Sequence, residues 1–266
     1  MRLTRVFVDG ELRPGNTVEL ERNTASHLAK VLRARSGDEL VLFNGDGREF
    51  PARIESVRGS RVSASVNSAR AVDRESPLKV TLLQCVPRGD RMDFVVQKAT
   101  ELGVERIVPV LSQRSVVRLD AAQAASKQAH WRAVAVSACE QCGRNRLPAV
   151  EVPQPLLNYL GAMAPQKAPH ALRLILEPEG AAAENARAID VAAGCAVTHA
   201  EIAIGPEGGF APEELDAFHL SDFSVLGLGP RVLRTETAAI AAVVMLQTRF
   251  GDMSASPHES SPAADD

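Results

Sequence analysis

Ile202-Ala203-Ile204-Gly205-Pro206-Glu207-Gly208-Gly209 is a short apolar run that breaks directly into glycine and proline. Two further segments repeat the design: Leu174-Ile175-Leu176-Glu177-Pro178-Glu179-Gly180 and Leu226-Gly227-Leu228-Gly229-Pro230-Arg231. Apolar runs of this length, without polar alternation, fit strands buried on both faces of a parallel sheet. Val80–Val86, Ile107–Leu111 and Leu172–Leu176 read the same way. After the loop Pro87-Arg88-Gly89, Asp90 is placed to cap a helix in which Met92, Val95, Val96, Ala99 and Leu102 recur at helical spacing before Gly103. Trp131–Cys142 and Thr235–Phe250 read as further helices, stopped by Gly143 and Gly251. Strands alternating with helices predict an α/β domain over residues 78–251.

Working toward the N-terminus, the pattern changes. Val6-Phe7-Val8 reads as a strand, and Asn23 or Thr24 can start a short helix through Leu32. Glu39–Phe43 and Phe50–Ile54 flank Asn44-Gly45-Asp46-Gly47, a strong hairpin signal, and Arg61–Val66 alternates. Residues 1–72 are therefore expected to form a small β-rich domain, with 73–77 as linker. The Ser/Pro/Asp-rich tail, 252–266, is expected to be disordered.

Composition narrows the function classes. Over 266 residues the chain is 45% hydrophobic and 24% charged, ordinary for a water-soluble fold. No apolar run is long enough to span a bilayer, and the N-terminus MRLTRVFVDG lacks the apolar core of a signal peptide. A cytoplasmic protein with reduced cysteines is expected. Residues 1–148 carry 24 Lys and Arg against 17 Asp and Glu, whereas 149–266 carry 6 against 16. A basic first half points to a polyanionic partner, although clustered solvated charge would look the same. With aromatics at 4%, arginine, lysine and backbone would have to grip any nucleic acid. Cys139-x-x-Cys142 has no second pair to complete a zinc site, so no metal is expected.

In open α/β sheets the ligand crevice lies beyond the carboxyl ends of the strands. The three loops put Leu176, Glu177 and Pro178, then Ile204, Gly205, Pro206, Glu207, Gly208 and Gly209, then Leu226, Gly227, Leu228 and Gly229 at that edge. None is a phosphate cradle: the GK[ST] ending and the dinucleotide fingerprint are both missing. Their carboxylates would repel phosphate and tolerate a sulfonium. Arg231-Val232-Leu233-Arg234-Thr235-Glu236 follows, with Thr235 where an N-cap would sit and Glu236 in the first helical turn. Capping accounts for Thr235 and Glu236 but not for the two arginines.

These motifs carry a resemblance. GPEGG followed by LGPRVLRTETA, with Pro87–Met92, Gln97–Gly103, Arg114-Ser115, Glu140–Arg144 and, in the front half, Arg5, His27–Arg33 and Phe43–Gly47, resembles the bacterial 16S ribosomal RNA uridine-N3 methyltransferases (RsmE-type) of the SPOUT superfamily. The resemblance runs from about residue 1 to 251. It implies an N-terminal PUA-like β-barrel, a C-terminal α/β domain with a deep trefoil knot, and a homodimer with active sites at the subunit interface. It further implies S-adenosylmethionine as cofactor, held by the loop residues named above together with Arg231, Val232, Leu233 and Thr235. The substrate it implies is one uridine of 16S ribosomal RNA, within the small subunit. Many relatives carry a His-Pro-Arg type sequence where this chain has Glu177-Pro178-Glu179-Gly180.

Methylation of uracil N3 requires loss of the N3 proton and stabilisation of charge on the carbonyl oxygens. Arg234 is the candidate for the second task, and Glu236 for the proton or for positioning. Arg5, His27, Arg33, Arg88, Arg91, Lys98, Arg114 and Arg144 are the candidate RNA contacts. A SPOUT enzyme acting on transfer RNA, a non-catalytic ribosome assembly factor and a Rossmann-type nucleotide enzyme are the alternatives.

Overall fold

The computed structural model describes residues 3–163, 170–177 and 197–253. Pro178, Glu179, Gly180 and the tail beyond residue 253 lie outside the described residues. The chain divides into two compact units: residues 1–75 with 130–149, and residues 76–129 with 150–266.

The first unit is a β-sheet built from β1 (Thr4–Phe7), β2 (Thr17–Glu19), β3 (Glu39–Phe43), β4 (Arg48–Arg58), β5 (Arg61–Val66) and β6 (Arg70–Ala71), with helix α1 (Arg22–Lys30). Strand order is β1-β3-β4-β5-β2, and β6 pairs with β4. The β3–β4 hairpin closes as its turn residues require. Gly45 and Gly47 both have φ above +90°, and Asp46 accepts a hydrogen bond from the Arg48 N–H at 2.8 Å. Strand β4 is longer than its apolar run suggests, continuing past a register shift between Ile54 and Ser56. Leu40, Leu42, Phe50, Ala52, Ile54, Val62, Ala64 and Val66 alternate inward to meet Ala25 and Leu28 of α1.

Helix α2 (Arg91–Glu101) belongs to the second unit, whereas α3 (Ala121–Cys142) contributes its part from His130 to the first. There Glu140 satisfies the edge strand: the Phe7 N–H donates to its Oε1 at 3.0 Å. Burial pushes the Glu140 carboxyl above its usual range, opposed by that N–H and by nearby His27 and Arg5. A raised folded-state pKa means the charged form is disfavoured by folding, so wild type gains stability as pH falls through that pKa. Glu140→Gln keeps an acceptor for Phe7 and removes the charge. Chemical denaturation at pH 8 is expected to find it at least as stable as wild type, with the advantage shrinking as the solution is acidified. Glu140→Ala leaves the Phe7 N–H unmatched and should lose about 1–3 kcal/mol.

The second unit carries a sheet of β7 (Lys79–Cys85), β8 (Arg106–Leu111), β9 (Ala149–Val150), β10 (Gln154–Pro155), β11 (Ala171–Leu176), β12 (His199–Ile204) and β13 (Ser224–Leu226). The order is β10-β8-β7-β12-β11-β13, parallel throughout, with β9 pairing β8. On one face Leu83, Cys85, Val108, Val110, Ile175 and Ala203 pack against α4 (Leu156–Ala162) and α5 (Pro212–Leu220). Phe218 stands edge-on between Phe210 and Phe223, with centroids 4.8 and 5.0 Å away. Helix α2 and the last helix, α6 (Thr235–Phe250), pack together, and α6 also lies on β7 and β12. Asp90 stands at the expected cap position of α2, but its side chain makes no capping bond.

Candidate active site

Strand order determines where the loops meet. β13 lies outside β11, yet α6 begins beside the end of β12. The chain from Leu226 to Thr235 therefore returns across the carboxyl end of β11. This brings the loops after β11, β12 and β13 around one cavity of about 280 Å³. Its lining draws Leu176 and Glu177 from the first loop, and Ile204, Gly205, Pro206, Glu207 and Gly209 from the second. Leu228, Gly229, Arg231, Val232, Leu233, Arg234, Thr235 and Ala238 come from the third loop and the start of α6.

Of the residues expected here from sequence, Leu226 is buried in β13, and neither it nor Gly227 reaches the cavity lining. Gly208 also stands off the lining, and its carbonyl accepts from Arg114 Nη1 at 3.0 Å. Pro178 lies outside the described residues. Ala238 joins the lining without having been anticipated: it sits one turn into an Ala-rich helix, where nothing local distinguishes it.

The loops have backbone reasons for their glycines. A Cβ on Gly205 would come within 3.3 Å of the Phe210 ring, the same ring that anchors α5. Gly229 holds φ at +85°, a region that side-chain-bearing residues rarely adopt.

The two candidate catalytic residues separate. Arg234 lines the cavity, is exposed, and has no hydrogen-bond or ion-pair partner for its guanidinium among the described residues. Glu236 does not line the cavity. Its side chain, 15% exposed, faces Arg91, with Oε1 3.9 Å from Arg91 Nε, while Oε2 is buried without a hydrogen-bond partner among the described residues. Arg91 in turn donates to Glu207 Oε1 at 2.8 Å, tying the start of α2 to the GPEGG loop.

Thr235 is not the N-cap. Arg234 occupies that position with extended backbone angles, and Thr235 is the first residue inside the helix. Its hydroxyl donates to the Gly205 carbonyl and accepts from Gln84 Nε2, both at 2.9 Å. Partners 30 and 151 residues away override local capping.

Glu214 is a second residue that sequence reading missed. At 2% exposure it accepts from the Gln113 N–H at 2.7 Å and the Ala211 N–H at 2.9 Å. One carboxylate thus completes half a capping box for α5 and fixes the loop after β8. Pro212, Glu213 and Glu214 in sequence were the available signal for that helix.

The RNA candidates fall into two groups. His27, Arg33, Arg88 and Arg114 are exposed. Lys98 is half-buried and ion-paired with Glu101 at 2.8 Å, and Arg91 is engaged as described. Arg5 and Arg144 are built into the first unit: their side chains are 6% and 5% exposed. Arg5 reaches Glu49 and Asn145 at 3.2 and 2.6 Å and lies 4.8 Å from the Phe43 ring centroid.

The chemistry of the lining suits S-adenosylmethionine. Leu176, Ile204, Leu228, Val232, Leu233 and Ala238 offer an apolar wall for an aromatic base, and glycine backbone offers polar groups at close range. Glu177 and Glu207 are carboxylates compatible with a positively charged ligand.

Comparison with known proteins gives concordant matches. A family model described as an RNA methyltransferase domain matches residues 74–247, and one described as an RNA methyltransferase PUA domain matches residues 20–66. A ribosomal RNA small subunit methyltransferase E from Mycobacterium bovis is 33% identical over 95% of this chain and 95% of its own. A methyltransferase structure from Legionella pneumophila with bound S-adenosylmethionine superposes with a TM-score of 0.85 at 41% identity, covering 95% of this chain and 100% of that one. A ribosomal RNA small subunit methyltransferase E from Neisseria gonorrhoeae, also bound to S-adenosylmethionine, gives 0.80 at 35%, again over 95% and 100%.

Proposed function

The chain belongs to the ribosomal RNA small subunit methyltransferase E family, and on that premise we propose that it transfers a methyl group to N3 of one uridine in 16S ribosomal RNA. The coarser activity, S-adenosylmethionine-dependent methylation of ribosomal RNA by a PUA domain joined to an α/β methyltransferase domain, follows from family membership. The observation that supports the finer reading is Arg234: a cation on the cavity lining whose guanidinium has no hydrogen-bond or ion-pair partner among the described residues.

When bound, S-adenosylmethionine supplies a methyl carbon attached to a positively charged sulfur. The apolar wall of the lining and the glycine backbone of the second and third loops would hold it. Transfer would require the target uracil to be turned out of its stack and to give up its N3 proton to solvent, leaving the nitrogen lone pair free to take the methyl group. Arg234 donates to the uracil carbonyl oxygen on which negative charge accumulates. Glu236 is assigned to Arg91 and the helix start rather than to the proton, because it is absent from the cavity lining and its carboxylate lies beside Arg91. His27, Arg33, Arg88 and Arg114 are the RNA contacts supported by their exposure. The reading carries with it a homodimer, a trefoil-knotted second domain and action in the cytoplasm on the small subunit. Among the described residues no helix is long and apolar enough to cross a membrane.

Nucleoside mass spectrometry of small-subunit RNA, from cells with and without the gene, tests the product. Loss of 3-methyluridine, restored by the wild-type chain, is expected. Loss of a different methylated nucleoside would move the target, and loss from transfer RNA instead would select the alternative substrate.

A further inference from the structure

Gln84 is an anomaly in its strand. It sits in the apolar run Val80-Thr81-Leu82-Leu83-Gln84-Cys85-Val86, in the interior of the sheet, and is 0% exposed. Its Oε1 is buried without a hydrogen-bond partner among the described residues. An apolar residue of the same volume would avoid the loss of solvation, so stability alone does not explain glutamine here. Positions that break the local rule without a stabilising gain are where function is expected.

The amide orientation is determined by its surroundings. Nε2 donates to the Cys85 carbonyl at 2.9 Å and to Thr235 Oγ1 at 2.9 Å. Turning the amide over would set Oε1 against the Cys85 carbonyl oxygen, two acceptors facing each other. With Nε2 toward Thr235, the threonine oxygen must accept, and its single proton goes to the Gly205 carbonyl at 2.9 Å. The result is a one-way relay, from Gln84 through Thr235 to Gly205. Its last two members belong to different walls of the cofactor cavity: Gly205 follows β12 and Thr235 opens α6. Gln84 itself is not in the lining.

We propose that Gln84 is a positioning residue for cofactor binding, acting through Thr235 to hold the GPEGG loop and the start of α6 at the spacing the ligand needs. The proposal rests on the assignment of this cavity to S-adenosylmethionine. Gln84 fixes the direction of the threonine hydroxyl, and without it the proton is free to turn from Gly205. The two walls then lose a pre-set relationship, and binding must supply the ordering.

The test is calorimetric titration of the full-length protein with S-adenosylmethionine and S-adenosylhomocysteine, well below each variant's Tm, with RNA affinity measured in parallel. Gln84→Met preserves volume and breaks the relay. It should weaken cofactor binding about fivefold to tenfold, the size of one lost neutral hydrogen bond, with RNA affinity unchanged. Thr235→Val should weaken it at least as much. Thr235→Ser, which keeps the hydroxyl, should stay within about twofold of wild type. The double variant Gln84→Met/Thr235→Val should bind no worse than Thr235→Val alone, because both remove one relay. Wild-type affinity in Gln84→Met, equal losses in Thr235→Ser and Thr235→Val, or fully multiplicative losses in the double variant would each overturn the relay while the cavity assignment stands. A wild-type protein that fails to bind either ligand would overturn that assignment and the relay with it.

Discussion

Arg234→Ala is expected to slow single-turnover methyl transfer by about 10²–10³ while cofactor affinity and Tm stay at wild-type values. The size follows from what the residue lacks. Its guanidinium has no hydrogen-bond or ion-pair partner among the described residues, so truncation removes no such bond to them. Its structural task belongs to the backbone, whose carbonyl accepts from the Ala238 N–H at 2.8 Å, and alanine keeps that bond. What disappears is a cation on the cavity lining, the group proposed to meet negative charge on the uracil oxygens. Arg234→Lys should recover little, since a compact ammonium does not reproduce two parallel N–H donors. Saturating RNA and cofactor isolate the chemical step. Near-normal turnover in Arg234→Ala would remove the residue from the chemistry. A parallel loss of cofactor binding would make it part of the ligand's wall instead.

The strand-to-loop segments at 174–177, 202–209 and 226–231 were legible because buried parallel strands and glycine-rich exits leave marks in adjacent residues. Most of the cavity lining follows from them, since the loops share one edge of the sheet. What was not legible depends on partners distant in sequence. Thr235 looks like a cap to its neighbours, and only Gly205 and Gln84 redirect its hydroxyl across the fold. The first turns of α3, from Ala121 to His130, carry alanine, glutamine, serine and lysine without an apolar stripe, so periodicity reveals the helix only from Trp131 onward. Membership of His130–Ala149 in the first unit is a tertiary fact with no composition signal. Arg5 and Arg144 add to a basic first half exactly as surface arginines would, and counting charge cannot distinguish a solvated cation from one already paired.

That distinction has a large expected effect in Arg144. Its guanidinium lies on the Glu75 carboxylate through both Nε, 3.1 Å from Oε1, and Nη2. The turn it belongs to is sewn in further: the Gly143 carbonyl accepts from Arg74 at 2.9 Å, Asn145 donates to the Val72 carbonyl at 2.8 Å, and Arg5 donates to Asn145 Oδ1 at 2.6 Å. Glu75→Ala takes away the carboxylate on which the buried guanidinium lies. Breaking such a pair from one side costs about 3–5 kcal/mol when fully buried, and the 21% exposure of Glu75 argues for the lower end. At roughly 2–4 °C per kcal/mol, the Tm should fall by about 6–12 °C. Glu75→Leu combined with Arg144→Met removes both charges and should recover much of that loss. RNA binding supplies the independent readout. Arg144→Met should leave the salt dependence of RNA affinity unchanged, whereas replacement of an exposed cation that meets phosphate, Arg88 being the candidate, should flatten it by up to about 0.9 log unit per contact on a duplex scale. A flattened slope in Arg144→Met with an unchanged Tm would return Arg144 to the candidate RNA contacts. An unchanged slope with a lowered Tm makes it an internal brace of the first unit.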